Sequence, residues 1–348
     1  MGAPLSVGGW ARLLPGLRRL CLAMQGAGNE ELVLSPAADL ALCLPALEAL
    51  CLDGGGGLLV ADSFSPPTSL TRLHLGTAGW KVLADLEQKM STLQSLRHLS
   101  LDRAGYHPDS GYSALTTLPH LTMLAMTHCT HLPPSLPQLA RLRALHLDAS
   151  PFSGEGLAVA AKLAAAVQGC SQLTHLFLAA HRFAPVPARP VLEAVAGLRH
   201  LVSFAWSEWE PADETATLPA AGSWLTGLRQ LLLPGYLAAN SRSALLAAPC
   251  LEALAVELGR SWNAAAAEAA VLAGSAAYQL ALLSWIGLHP SLRRVGVSLE
   301  EGEVAAAAEQ AQQRWPGLHI QEAAELERAF RWHCVGAAGC GCSREDWA

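Results

Sequence analysis

A leucine pattern, LxxLxL, recurs twelve times along the 348 residues and constrains the fold more than any other feature of the sequence. Clear copies are LPGLRRLCL at 14–22, LQSLRHLSL at 93–101, LARLRALHL at 139–147 and LTGLRQLLL at 225–233. One unit of this kind cannot bury its apolar side chains alone, whereas stacked neighbours bury them together. The sequence therefore predicts a single core that grows by the addition of similar units.

The twelve segments predict twelve short strands. They start at Leu17, Leu47, Leu70, Leu96, Leu121, Leu142, Leu173, Leu201, Leu228, Leu251, Leu292 and Trp315. Their mean spacing is about 27 residues, within the range of roughly 20–29 that is typical of leucine-rich repeats. Apolar residues alternate with other residues inside each segment, which predicts strands with leucines on one face. The intervening residues are expected on the opposite, solvent-facing side of a parallel sheet.

Over positions 14–320 the sequence resembles the leucine-rich-repeat proteins of the intracellular type. The resemblance implies an α/β solenoid shaped as a horseshoe, with a concave parallel sheet and helices or extended returns on the convex side. The corresponding domains are a short N-terminal cap at 1–13, a solenoid of about twelve irregular repeats at 14–321, and a C-terminal capping helix with a Cys/Gly-rich tail at 322–348.

Several of the returns between strands have helical patterns. They lie at 80–90, 156–167, 303–313 and 322–334. The return at 131–142 contains Pro and is too short for a long helix.

The sequence departs from the family pattern in two ways. The Asn that usually follows the strand is replaced in most repeats, and only Cys129 and Ser150 have side chains that fit its role. The step from Leu251 to Leu292 is 41 residues long, so 251–292 contains either a degenerate repeat around 280–286 or an inserted helix.

Charge, motifs and cysteine usage exclude several classes of function. The net charge is −6 and there is no basic face, so we expect no nucleic-acid partner. The GxxxxGK[ST], GxSxG and HExxH motifs do not occur, so we expect a protein that is not an enzyme and binds no cofactor. The nine Cys have no regular spacing, which favours reduced thiols and a cytoplasmic location. The resemblance adds association with the cytoskeleton or a cilium as an option.

Polar side chains concentrate on the outward positions of the early and middle repeats. The candidate partner-binding residues are Arg72, His74, His98, Ser100, Asp102, His146, Asp148 and His175. Such residues supply charge-assisted hydrogen bonds to a protein partner, and the histidines change charge between about pH 5 and 8. The alternatives are ordinary solvent-facing strand residues, or a metal site built from His74, His98, His146 and an Asp. Later repeats present mostly small or apolar groups on this side.

The resemblance implies a non-enzymatic scaffold or receptor that binds a protein partner on its concave face. One alternative is the substrate-recognition subunit of a ubiquitin ligase, without its own F-box, because about sixteen residues precede the first repeat. Another is a metal-binding or thiol protein that uses the His patch or the tail residues His333, Cys334, Cys340 and Cys342. A membrane-anchored receptor would rely on the uncharged stretch 269–292, but polar residues dilute it and we expect no membrane partner.

Overall fold

The computed structural model describes a large part of the chain. The described residues are 14–24, 32–34, 40–54, 58–60, 66–76, 90–102, 113–129, 132–149, 156–180, 187–208, 215–220, 222–257, 277–297, 302–323 and 325–326. They fall into two compact units, and the boundary lies between Leu142 and Arg143.

The first unit contains five parallel strands, each paired with the next along the chain. They are β1 (Arg19–Met24), β3 (Ala49–Gly54), β5 (Arg72–Leu75), β6 (His98–Asp102) and β7 (Met123–Cys129). Two shorter strands, β2 (Leu32–Leu34) and β4 (Leu58–Val60), form a separate parallel pair. A four-residue helix, α1 (Leu40–Cys43), and two 3-10 turns, Ser113–Thr117 and Leu136–Gln138, occupy described parts of the returns.

The second unit contains seven parallel strands in chain order. They are β8 (Ala144–Ala149), β9 (His175–Ala180), β10 (Ser203–Glu208), β11 (Gln230–Pro234), β12 (Ala253–Glu257), β13 (Arg294–Val297) and β14 (His319–Glu322). Its helices are α2 (Gly156–Gly169), α3 (Ala188–Val195), α4 (Trp224–Gly227), α5 (Gly235–Asn240), α6 (Arg242–Leu246) and α7 (Gly302–Arg314). Residues 277–283 are also helical, and a 3-10 turn follows at Ile286–Leu288. Each of the twelve predicted segments therefore contains a strand of a parallel sheet.

Alternation of side chains along each strand explains why these segments become strands. In β5, Leu73 and Leu75 are buried, whereas Arg72 and His74 between them are half-buried. Successive side chains of a strand point to opposite faces, so the leucines of neighbouring repeats stack into one core in each unit. The alternation predicted from the sequence is confirmed here.

A tight turn precedes most strands. The backbone N–H of Leu47 donates to the carbonyl of Leu44 at 3.1 Å, and that of Leu96 donates to Leu93 at 3.0 Å. Both leucines of each turn are buried. The LxxL half of the pattern is therefore a hydrogen-bonded turn that places two leucines in the core. It also satisfies backbone N–H and C=O groups that would otherwise be buried without a hydrogen-bond partner.

The last strand is shifted by two residues from its predicted position. Arg294 pairs with His319 and Val295 with Ile320, whereas the sequence pattern placed Gly317 beside Arg294. Trp315 belongs to the preceding turn, because its carbonyl accepts the N–H of Leu318 at 2.9 Å. A shift of two residues leaves every side chain on the same face, so the core is unchanged.

Part of the long step at 251–292 lies within the described residues. It is helical at 277–283 and turns at Ile286–Leu288 before β13. β12 pairs directly with β13, with Ala253 opposite Arg294.

Two of the predicted helices are confirmed, and the other two lie mostly outside the described residues. α2 and α7 confirm the helices predicted at 156–167 and 303–313, and the return at 131–142 holds only a 3-10 turn among its described residues. The helix predicted at 80–90 lies almost wholly outside the described residues, and that at 322–334 is described only as far as Leu326. The predicted cap at 1–13 and the Cys/Gly-rich tail also lie outside them. Within the described chain, no helix is both long enough and apolar enough to cross a bilayer.

Adjacent positions on β6 test the assignment of faces. Leu99 is 1 % exposed, so Leu99→Ala should lower the free energy of unfolding by about 2–5 kcal/mol through lost burial and the cavity left behind. Ser100 points the other way and makes one hydrogen bond to His74, so Ser100→Ala should cost only about 1 kcal/mol. Urea denaturation of the two variants measures both values. Equal losses would show that the faces of β6 are wrongly assigned.

Candidate interaction surface

The side chains between the buried leucines form what we call the outer face of each unit. Every strand contributes up to three positions to it, the first, middle and third, as in His98, Ser100 and Asp102 of β6. In the first unit Arg72, His74, His98, Ser100 and Asp102 are all half-buried on this face. They lie on the neighbouring strands β5 and β6, where Arg72 is opposite His98 and His74 is opposite Ser100. The structure therefore brings together five of the eight predicted residues.

Hydrogen bonds across the strands hold three of these side chains in place. His74 Nδ1 and Ser100 Oγ lie 2.9 Å apart, and Thr127 Oγ1 on β7 donates to Asp102 Oδ1 at 2.5 Å. Such bonds restrict the rotamers of the side chains before any partner arrives, which lowers the entropic cost of binding. The surface is thus polar, partly accessible and ordered by its own strand neighbours.

The predicted residues of the second unit have different surroundings. His146 is 4 % exposed and Asp148 is 7 % exposed, whereas His175 is half-buried. The His146 ring packs on Phe177 of the next strand, with the ring centroids 4.2 Å apart. His175 Nδ1 lies 2.9 Å from Thr174 Oγ1. The expectation that outward positions face solvent is therefore wrong for His146 and Asp148.

Burial extends over the outer face of the second unit. Its buried middle positions are His146, Phe177, Ala205, Leu232, Ala255 and Gly296. Leu326, which follows β14, belongs to the same apolar cluster as Phe177, Ala205, Leu232 and Ala255. Small and apolar side chains were already evident at these positions in the sequence, but the residue that packs on them comes from the far end of the chain. A pattern confined to single repeats contains no information about that contact.

Sequence analysis missed a polar groove at the edge of the sheet in the first unit. It lies where the strands begin and is lined by Arg18, Ala46, Glu48, Ser69, Thr71, Ser95, Arg97 and His120. Arg18 and Glu48 form an ion pair at 3.6 Å, but both side chains are largely exposed and such pairs add little stability. Arg18, Glu48, Thr71 and Arg97 each lie one residue before a strand, so their recurrence at one repeat position could have predicted this groove.

One buried histidine has a structural role that the sequence did not reveal. His289 is 5 % exposed and occupies the turn before β13, where most other repeats have an apolar residue. Its Nε2 lies 3.0 Å from the carbonyl of Leu245, and its Nδ1 accepts the N–H of Leu292 at 3.2 Å. Burial lowers the pKa of His289, although hydrogen bonds to the Leu245 and Ala248 carbonyls partly oppose this. The neutral ring with Nε2–H therefore completes the turn.

The described residues contain no group of three or more His, Cys, Asp or Glu side chains arranged to hold a metal ion. The tail residues considered for a metal, His333, Cys334, Cys340 and Cys342, lie outside the described part. Cys21 and Cys51 are opposite each other on β1 and β3 and are not joined by a disulfide. Cys170 is fully buried, and this burial raises the pKa of its thiol to about 12.

Comparison with known proteins assigns no family and no function to the chain. No protein-family model matches the chain, and no curated protein is significantly similar to it. The function must therefore be argued from the outer faces of the two units and from the chemistry of their side chains.

His289 should make stability depend on pH. Its pKa is lower in the folded state than the value of about 6.5 in the unfolded chain, so the unfolded state binds more protons below that pH. The free energy of unfolding should therefore fall as the pH is lowered from about 6.5 towards the folded pKa. The maximum slope from one proton is about 1.4 kcal/mol per pH unit. His289→Gln, which keeps hydrogen-bonding groups but cannot titrate, should show a smaller slope in urea melts from pH 7.5 to 5. Identical slopes would contradict the pKa assignment.

Cysteine reactivity should follow burial. Cys170 is fully buried with a raised pKa, whereas Cys250 is exposed. Because only the thiolate alkylates, iodoacetamide at pH 8 should label Cys250 readily and leave Cys170 unmodified in the folded protein. Unfolding in urea should make both sites reactive, which provides the control. Mass spectrometry that finds equal labelling in the folded protein would show that Cys170 is not enclosed.

Proposed function

We propose that this chain is a leucine-rich-repeat protein of the horseshoe type, and that it serves as a non-enzymatic scaffold that binds a protein partner. The binding surface is the outer face of the first unit, which would be the concave side of the horseshoe. The observation that supports this most is the set of five half-buried polar residues on β5 and β6.

The chemistry of these residues suits recognition of a polar protein surface. Arg72 offers a planar guanidinium that binds carboxylates through two hydrogen bonds, and Asp102 offers a carboxylate for a basic partner group. His74 and His98 add ring nitrogens that donate or accept hydrogen bonds. Binding would use surface complementarity, with no bond made or broken.

The proposed footprint is narrower than the sequence suggested. His146 and Asp148 are buried, so a partner cannot reach them on the surface as it stands. His175 is half-buried and remains a candidate contact in the second unit. The footprint is therefore centred on Arg72, His98 and their neighbours in the first unit.

We also propose a cytoplasmic location. Cys43, Cys170 and Cys250 are thiols in the structure, and disulfides are rare in reducing compartments. Whether the partner belongs to a ubiquitin ligase, to the cytoskeleton or to a cilium would follow from its identity.

Charge reversal on the outer face of the first unit tests the proposal. A partner is first identified by affinity capture with the wild-type chain and mass spectrometry, and its Kd is then measured with purified components. Arg72→Glu combined with Asp102→Lys should weaken binding at least tenfold, or about 1.4 kcal/mol, because both charge-assisted contacts become repulsive. Circular dichroism should show an unchanged fold.

The matched control places two charge changes on the exposed side of a helix in the second unit. Glu309 and Gln312 are exposed on α7, so Glu309→Lys with Gln312→Glu should leave the Kd unchanged. If the helix variant abolishes binding while the strand variant retains it, the helical side is the working surface and the proposed footprint is wrong.

A further inference from the structure

Charge is distributed unevenly along the strands of the first unit. These strands are parallel neighbours, so their first residues all lie along one edge of the sheet, which we call the start edge. Among the described residues of this unit, the arginines that begin a strand or immediately precede one are Arg18, Arg19, Arg72 and Arg97. The acidic residues Asp53 and Asp102 lie at the other ends of their strands. The start edge is therefore basic, which the net charge of −6 for the whole chain conceals.

The polar groove at the start edge has one neutralised end and one basic end. Its volume is about 500 Å³. Arg18 pairs with Glu48 at 3.6 Å on the side of β1 and β3, and Glu48 is the only acidic residue among the described residues that line the groove. On the side of β6 and β7, the side chains of Ser95, Arg97 and His120 have no hydrogen-bond or ion-pair partner within the described part of the chain. That end therefore offers a guanidinium, a hydroxyl and an imidazole to an external acceptor.

A second guanidinium lies close to the basic end. Arg141 is exposed, and its Nη1 donates to the carbonyl of Pro119, the residue before His120, at 2.6 Å. A guanidinium binds a carboxylate through two parallel hydrogen bonds. A ligand with several carboxylates therefore finds more than one cationic contact here, whereas a single small anion would use only one.

Hydroxyl groups inside the groove have the opposite hydrogen-bonding character. Ser69 Oγ donates to the carbonyl of Leu47 at 2.7 Å, and Thr71 Oγ1 donates to that of Glu48 at 3.1 Å. Because both protons are already used, these oxygens can only accept a hydrogen bond from a ligand. Backbone N–H groups of a peptide are donors of the required kind, and carboxylates alone are not.

The dimensions of the groove fit an extended peptide. The turns that line it precede β1, β3, β5, β6 and β7, and the four steps between these strands span about 19 Å at about 4.8 Å each. Six residues of extended chain cover about 20 Å at about 3.3 Å per residue. None of the described lining residues is Phe, Tyr or Trp, so they offer no large ring on which the bases of a single-stranded nucleic acid would stack.

We propose that the start edge of the first unit is a binding site for an extended acidic segment of a protein partner. Carboxylates of the segment bind Arg97 and His120, and its backbone N–H groups donate to the hydroxyl oxygens of Ser69 and Thr71. The site is separate from the footprint on the outer face, and it stands whether or not that footprint binds a partner.

A peptide titration tests the class of ligand. A rhodamine-labelled peptide of six glutamates is titrated with the full-length chain and followed by anisotropy, and a peptide of six glutamines is the uncharged control. The glutamate peptide should bind at least tenfold more tightly, and its affinity should fall as salt is added because exposed charges are screened. Equal affinity for the two peptides would overturn the proposal. Displacement of the glutamate peptide by a short oligo-dT strand at a lower concentration than by unlabelled peptide would also overturn it, because the ligand would then be a nucleic acid.

Variants of opposite sign test the position of the site. Arg97→Glu should weaken binding of the glutamate peptide at least tenfold, and the fold should tolerate it because Glu48 occupies the equivalent position before β3. Glu48→Gln should strengthen binding, because it removes the carboxylate that repels the peptide and pairs with Arg18.

The matched control is Lys162→Glu, which makes the same change of charge at an exposed position on α2 of the second unit. It should leave the Kd of the glutamate peptide within about twofold of the wild-type value. Equal weakening by Arg97→Glu and Lys162→Glu would show that only the net charge matters and would overturn the site. If circular dichroism shows that Arg97→Glu does not fold, Glu48→Gln decides, and unchanged or weaker binding by that variant would refute the proposal.

Discussion

The structure depends on a backbone contact that recurs from strand to strand. Among the described residues, two consecutive N–H groups at the start of each of nine strands donate to one carbonyl, which lies one residue before the preceding strand, as Arg97 and His98 do to Thr71 at 2.9 and 3.0 Å. The accepting residues are Arg18, Glu48, Thr71, Arg97, Arg143, Thr174, Val202, Arg229 and Glu252. Since only the carbonyl takes part, this position tolerates basic, acidic, hydroxylic and aliphatic side chains. The contact fixes the register, and the register aligns the leucines that form each core.

The same scaffold presents two chemically different outer faces. In the first unit, polar side chains on β5 and β6 bond to their neighbours and remain partly accessible. In the second unit, the equivalent positions are mainly small or apolar and are buried with Leu326. The difference between the units thus arises from side chains that the repeat pattern leaves free to vary.

Much of this fold could be predicted from the sequence, because alternation and leucine spacing are local signals. They placed β1, β3 and β5 to β13 correctly but did not predict the short pair β2 and β4. The last strand was misplaced by two residues because Trp315 resembles the leucine that starts a repeat. The accessibility of the candidate site was predicted less well. His146 and Asp148 alternate with buried leucines, as solvent-facing residues do, yet they are buried. The burial of this face involves a contact from Leu326, which is remote in sequence and has no counterpart in any single repeat.

Site-resolved hydrogen exchange by NMR tests the central claim most directly, because it reports on the backbone contact that sets the register. In each unit, the paired amides at the strand starts, such as Arg97 and His98 or Arg229 and Gln230, should exchange at the slowest rates in the chain. The amide of Ser95, in an exposed turn, should exchange much faster. Slow exchange of both pairs would support the account of strand stacking. Exchange of these pairs as fast as that of Ser95 would contradict it.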